Sequence, residues 1–191
     1  MQIAVYCASS TKIHPDYFAA ATELGTELAR RGIGLINGAG NMGLMGATSD
    51  AALAAGGTVT GVIPTFMVEN GWHHQGLTRL IETRDMHERK LTMAHISDAC
   101  IALPGGCGTL DELLEVITWK QLGLYLKPIV ILNLRGYYDP LLEQLRRGIE
   151  EHFMGQLHAT IWRTATTPKE AIDLALATPL WDASVRKFAA I

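Results

Sequence analysis

Ala99-Cys100-Ile101-Ala102-Leu103-Pro104-Gly105-Gly106-Cys107-Gly108-Thr109-Leu110-Asp111-Glu112 joins an unbroken apolar run to a glycine-rich turn and then to a long helical pattern. An apolar run without polar alternation predicts a parallel strand, Ala99–Leu103, buried on both faces. The helical periodicity starts near Thr109 and reaches Leu122. Strand, glycine turn and helix start in direct succession aim several backbone N–H groups at one small volume, where the helix dipole adds positive potential. Glycine at positions 105, 106 and 108, followed by Thr109, exceeds what a purely structural turn requires and predicts an anion site, for a phosphate above all. Glu112, in the first helical turn, then faces whatever carries that phosphate. Cys107 is read as filling the turn rather than as a nucleophile, since no histidine lies near it in sequence to activate it.

The same alternation extends in both directions. Strands are expected at Gln2–Ala8, Ile33–Asn37, Thr58–Ile63, Leu77–Thr83, Pro128–Asn133 and Ile161–Thr164. Helices are expected at Pro15–Arg31, Met42–Ala55, Met86–Ile96, Thr109–Leu122 and Tyr138–His152. A last helix starts at Pro168, with Thr167 placed to cap it and Glu170 at its third position. Pro64–Gly76 reads as irregular. Alternating strands and helices with continuous apolar strands predict an α/β protein: a doubly wound, Rossmann-like parallel sheet covered by helices on both faces. Ligands of such sheets bind at the carboxyl ends of the strands, where the connection order switches. Residues 1–178 are expected to form one Rossmann-like domain and residues 179–191 a short tail.

Composition limits the partners. The chain has 191 residues, 48% of them apolar and 18% charged, with a formal net charge of -3. That balance suits a single well-filled globular domain and argues against nucleic acid or a membrane surface as partner. No apolar run approaches the ~18 residues of a membrane span, and the N-terminus lacks the basic leader and apolar core of a signal peptide. Cys7, Cys100 and Cys107 form neither an even framework nor a C-x-x-C pair, as in a reduced compartment, so a cytoplasmic location is expected.

Three further stretches invite chemistry. Gly38-Ala39-Gly40-Asn41-Met42-Gly43 fits G-x-G-x-x-G, but it follows the second strand, and Val62-Ile63 runs into Pro64 where a dinucleotide site needs an acidic residue. It is read either as a tight turn for close helix–strand approach or as a turn that meets a ligand's phosphate or sugar. Asp85-Met86-His87-Glu88-Arg89-Lys90 is a surface charge run, or else it points Arg89 or Lys90 at the same pocket, where a guanidinium would make a forked contact with phosphate or ribose. His73-His74 lacks a third ligand at suitable spacing, so no metal is expected. Asp111 and Glu115 are read as acids complementing the helix dipole. The helix carrying them is apolar over more than half its circumference, which predicts a subunit interface as well as a core face.

Pro104-Gly105-Gly106-Cys107-Gly108-Thr109-Leu110-Asp111-Glu112 resembles the P-G-G-x-G-T-x-x-E motif of the Lonely Guy (LOG) family of cytokinin-activating phosphoribohydrolases. The resemblance extends to Ser9-Ser10, Gly43-Leu44-Met45-Gly46, Met86-His87-x-Arg89-Lys90 and Trp119-x-Gln121-Leu122-Gly123. It implies hydrolysis of the N-glycosidic bond of N6-modified AMP nucleotides (cytokinin riboside monophosphates), giving free base and ribose 5-phosphate, with no cofactor and no metal. It implies catalysis by Arg89 and Glu112. Substrate contacts would fall to Glu69, Lys90, Thr118, Ser9, Gly40, Gly43 and the turn Gly105, Gly106, Cys107, Gly108 and Thr109. It also implies a homodimer whose active sites draw on both subunits. Ala8 stands where many members have Gly, and Asn37-Gly38-Ala39-Gly40 replaces Tyr-Gly-Gly-Gly, which bears on base or sugar preference. Members are sometimes labelled lysine decarboxylases, yet no lysine context supports a pyridoxal phosphate site. The competing readings are a nucleotide or cofactor carrier of the same fold without turnover, and an NAD-linked oxidoreductase.

Overall fold

The computed structural model describes residues 1–182 and Ser184; the rest of the expected tail, position 183 and residues 185–191, lies outside the described residues. Seven parallel strands run β1 Gln2–Tyr6, β2 Gly34–Asn37, β3 Val59–Pro64, β4 Arg79–Thr83, β5 Ala99–Ala102, β6 Ile129–Leu132 and β7 Arg163–Ala165. They lie in the order β4-β3-β2-β1-β5-β6-β7, so the connection order switches between β1 and β5. In register, Ile3 pairs with Ala99 and Tyr6 with Ala102, which brings the loops after both strands to the same edge.

Alternate residues of each strand feed two cores. Ile3, Val5, Ala99 and Ile101 join Leu24 and Leu28 of α1 (Pro15–Arg30), Leu44 of α2 (Gly43–Ala54) and Ile172 of α7 (Pro168–Ala177). Ala4, Tyr6, Cys100 and Ala102 face the other way, onto Met93 of α4 (Met86–Ile96), Leu113 and Ile117 of α5 (Cys107–Gln121), and Leu142 of α6 (Asp139–Glu150). The period-two alternation therefore survives in a sheet apolar on both sides, as expected when helices cover both faces. Trp181 packs into this second core, its amide donating to the Leu126 carbonyl at 2.7 Å.

Two expectations are corrected. The stretch read as irregular contains a helix, α3 (Thr65–Glu69). It is five residues long with no side-chain cap, too short for a helical period to show in sequence. The helix expected from Thr109 begins at Cys107, because glycines on either side of that cysteine mask a helix start.

Among the described residues, no helix is long and apolar enough to cross a membrane.

Candidate active site

A cleft of about 680 Å³ opens at the β1/β5 switch point. Its walls come from the loop after β1 (Cys7 to Ser10), the turn after β2 (Gly38 to Met45), the start of α4 (Met86, Arg89) and the start of α5 (Gly106, Gly108, Thr109, Glu112).

The two glycine-rich turns do different work there. At α2 the amides of Leu44 and Met45 both donate to the Ala8 carbonyl, at 2.9 and 3.3 Å, so this helix start is tied to the β1 loop. Gly43 sits at φ 63°, and any Cβ there would overlap the backbone of Ala8 and Ser9. At α5 the first intrahelical bond runs from Leu110 N–H to the Gly106 carbonyl at 3.0 Å. Among the described residues nothing accepts a hydrogen bond from the amides of Gly106, Cys107, Gly108 or Thr109. A Cβ built on Gly106 or Gly108 meets nothing within 4 Å, so the space over these amides is open. Unbonded amides at a helix N-terminus, facing an open cleft, form an anion cradle. The α2 turn carries no equivalent set.

Arg89 and Glu112 meet at the cleft floor, both buried, with Arg89 Nη1 donating to Glu112 Oε1 at 2.6 Å. Arg89 Nε donates to the Val62 carbonyl at 3.0 Å, which anchors the guanidinium to the end of β3. Its Nη2 occupies the space a Cβ on Gly38 would need. The α4 start that carries Arg89 is fixed by reciprocal capping. Asp85 accepts from Glu88 N–H at 2.8 Å, and the Glu88 carboxylate accepts from Arg84 N–H at 2.7 Å. Burial pushes the Glu112 carboxyl above the ordinary carboxylate range, against the opposing pull of Arg89. Burial also raises the Cys7 thiol, leaving it neutral in the cleft wall.

The remaining expected site residues divide. Ser9 and Gly40 line the cleft, as do Gly106, Gly108 and Thr109. Gly105 is buried behind the turn, where Thr109 fills the space beside it. Gly43 is buried against the β1 loop, and Cys107 is exposed at the first position of α5. Lys90 turns away from the cleft wall to Asp111 and Glu115 of α5, at 3.0 and 3.2 Å. Burial alone would lower its pKa, but the two carboxylates hold it above the ordinary value. Glu69 ends α3 in an exposed position, and Thr118 lies exposed on α5, its hydroxyl donating to the Leu114 carbonyl. Among the described residues, no lysine lines the cleft. His74 is engaged by Asp50 at 2.8 Å and His73 by Gln75 at 2.9 Å.

Sequence reasoning missed the apolar part of the cleft lining, made by Met42, Met45, Met67, Met86 and Trp72. These side chains are scattered through four segments, and only the fold collects them. Trp72 stands on a loop fastened to the β2 turn. Its carbonyl accepts from Asn41 N–H at 3.3 Å, and the next residue but one, His74, donates to Ala39 O at 2.8 Å.

Comparison with known proteins bears on this cleft. A family model described as "Possible lysine decarboxylase" matches residues 45–175. The cytokinin riboside 5'-monophosphate phosphoribohydrolase LOG1 of Arabidopsis thaliana is 45% identical over 171 residues, 90% of this chain and 80% of that protein. The chain belongs to the Lonely Guy family. The LOG protein of Oryza sativa subsp. japonica is 44% identical over 90% of this chain and 71% of its own length. Among solved structures, the molybdenum cofactor binding protein of Rippkaea orientalis matches with a TM-score of 0.69 at 25% identity, over 91% of this chain and 93% of that one. The molybdenum cofactor carrier protein of Chlamydomonas reinhardtii matches at 0.70 and 23% identity, over 93% and 98%, a likeness of fold. The departures from the LOG pattern have structural occupations. Asn37 is buried, donating to Ser49 Oγ at 2.8 Å and accepting from Ala39 N–H at 2.9 Å. Ala39, at φ 62°, takes the backbone conformation that a glycine adopts more easily.

Proposed function

We infer that the chain is an N-glycosyl hydrolase that cleaves adenosine 5'-monophosphates carrying N6 substituents, releasing free base and ribose 5-phosphate. The observation that carries this reading is the position of Glu112. Its carboxylate lies in the same cleft as the unbonded amides of the α5 start, one helical turn beyond them. A nucleotide whose 5'-phosphate rests on those amides sets its ribose against Glu112 and its base toward Met67 and Trp72. The C1'–N9 bond breaks with its electron pair leaving on the base, and C1' takes on oxocarbenium character. The ionised Glu112 stabilises that cation and orients water, whose oxygen bonds C1' and whose proton balances the departing base. Arg89 engages Oε1 of Glu112, holds the carboxylate in place and offsets negative charge on the leaving base or the phosphate. Grip on the phosphate fixes the sugar at the reacting position, so remote binding supports the chemical step.

The catalytic unit spans residues 1–178 and works in the cytoplasm, a location supported by three unbridged cysteines. A second copy of the chain covers the α4–α5 face, where Met86, Leu91, Leu114 and Leu122 are exposed. Thr118 lies one turn from Leu114 on that stripe and would serve the partner's cleft. The carrier reading draws on the fold of the molybdenum cofactor proteins alone. Incubation with AMP and with isopentenyladenosine monophosphate, followed by chromatography, separates the two. Free base in the products supports the hydrolase, and saturable binding without free base supports the carrier.

A further inference from the structure

The carbonyl of Gly105 accepts a hydrogen bond from the Tyr137 hydroxyl at 2.7 Å. In a trans peptide the C=O and the following N–H point in opposite directions, and among the described residues no peptide is cis. A hydroxyl that fixes the Gly105 carbonyl therefore fixes the Gly106 amide as well. Gly106 lines the cleft, and its amide is one of the four left unbonded at the α5 start. Both residues flanking this peptide are glycines, so no side chain resists rotation of its plane. A rotated plane would turn a carbonyl oxygen toward the phosphate in place of an N–H, and repulsion would replace attraction.

We propose that Tyr137 is a positioning residue that latches the Gly105–Gly106 peptide with its amide toward the nucleotide phosphate; this rests on the phosphate site of the proposed function. The backbone around Tyr137 is built to hold it. Arg135 and Gly136 are both left-handed, at φ 55° and 69°, a conformation that a non-glycine residue adopts at a cost. Arg135 Nη1 is held by Asp16 Oδ2 at 2.6 Å. The Tyr137 ring meets Tyr17 and Tyr138 edge-on, with centroids 6.0 and 5.1 Å apart. Tyr138 provides a built-in contrast. Its hydroxyl donates to the Leu103 carbonyl at 2.6 Å, but that peptide continues into Pro104, which has no N–H to aim.

The test is calorimetric titration of ribose 5-phosphate into the wild type, Tyr137→Phe and Tyr138→Phe, with nucleotide kinetics alongside. Tyr137→Phe is expected to weaken ribose 5-phosphate by about tenfold, the scale of one hydrogen bond to a charged group. KM for the nucleotide rises in parallel, while kcat stays within about threefold. Tyr138→Phe lowers the melting temperature and leaves the affinity within about twofold, since only a buried structural bond is lost. Unchanged ribose 5-phosphate affinity in Tyr137→Phe overturns the proposal, and so does equal weakening in both variants. Binding is read without turnover, so a wild type that binds ribose 5-phosphate but releases no base counts against the hydrolase reading alone. A wild type that fails to bind ribose 5-phosphate at millimolar concentration overturns both.

Discussion

Arg89 occupies the volume that any side chain on Gly38 would need: a Cβ there would overlap Nη2 of the guanidinium. The turn after β2 thus contributes to the site by omission, leaving room for a cation that reaches the carboxylate of Glu112.

Replacing Gly38 with Ala should push the guanidinium off its seat while leaving the fold intact, because the overlapping atom is the end of a side chain. Thermal melting is expected to change little. A displaced charge of roughly 1 Å costs about 10²-fold in rate, and kcat/KM should fall on that scale. Wild-type kinetics in Gly38→Ala would show that the Arg89 position is irrelevant to turnover.

Arg89→Lys keeps the charge and loses the fork. Arg89 donates at once to Val62 O through Nε and to Glu112 through Nη1. A lysine is a single point of charge on a shorter reach and cannot reproduce that geometry. Steady-state kinetics should show a loss in kcat/KM of at least about tenfold, as expected when a charged hydrogen bond is removed.

The pH profile follows from burial. An exposed glutamate titrates near about 4.3, and burial holds Glu112 above its ordinary value despite Arg89. Activity that needs the ionised form is lost as pH falls through this raised pKa, so the acid limb of kcat/KM should lie above about 4.3. Stability runs the other way. The folded state binds this proton more tightly than the unfolded one, so stability from this group is full below the unfolded pKa. It is lost as pH rises through the folded value. Denaturant melts of wild type and Glu112→Gln across that window should differ in slope with that sign.

In the cleft lining, Trp72 is half exposed and packs edge-on against Phe66, ring centroids 6.5 Å apart. A base lying there gains about 1–3 kcal/mol from stacking on the indole. Trp72→Ala should therefore raise KM for the nucleotide by at least about fivefold, with a smaller change in kcat. Equal KM values would place the base elsewhere.

How far the sequence could be read depended on how local each determinant is. The strand–turn–helix at Ala99–Glu112 and the apolar alternation around it are local, and they predicted the seven-stranded order of elements and the turn that leaves its amides free. Arg89 was ambiguous because its direction is set by Val62 O and by the missing side chain at Gly38, residues distant in sequence and joined only across the sheet. Lys90, its neighbour in the same basic pair, turns to Asp111 and Glu115. Nothing in the order Arg-Lys distinguishes which of the two enters the cleft. The methionines lining the cleft and the Tyr137 hydroxyl bond escaped for the same reason, since each arrangement exists only after distant segments are brought together, whereas α3 escaped because five residues show no helical period.

Single-turnover hydrolysis of isopentenyladenosine monophosphate by wild type and Glu112→Gln, with both products quantified, addresses the central role of that carboxylate. The wild type should yield free base and ribose 5-phosphate in equal amounts, and Glu112→Gln should be slower by about 10²–10⁴-fold with nucleotide affinity retained. Wild-type rates in Glu112→Gln would contradict the account.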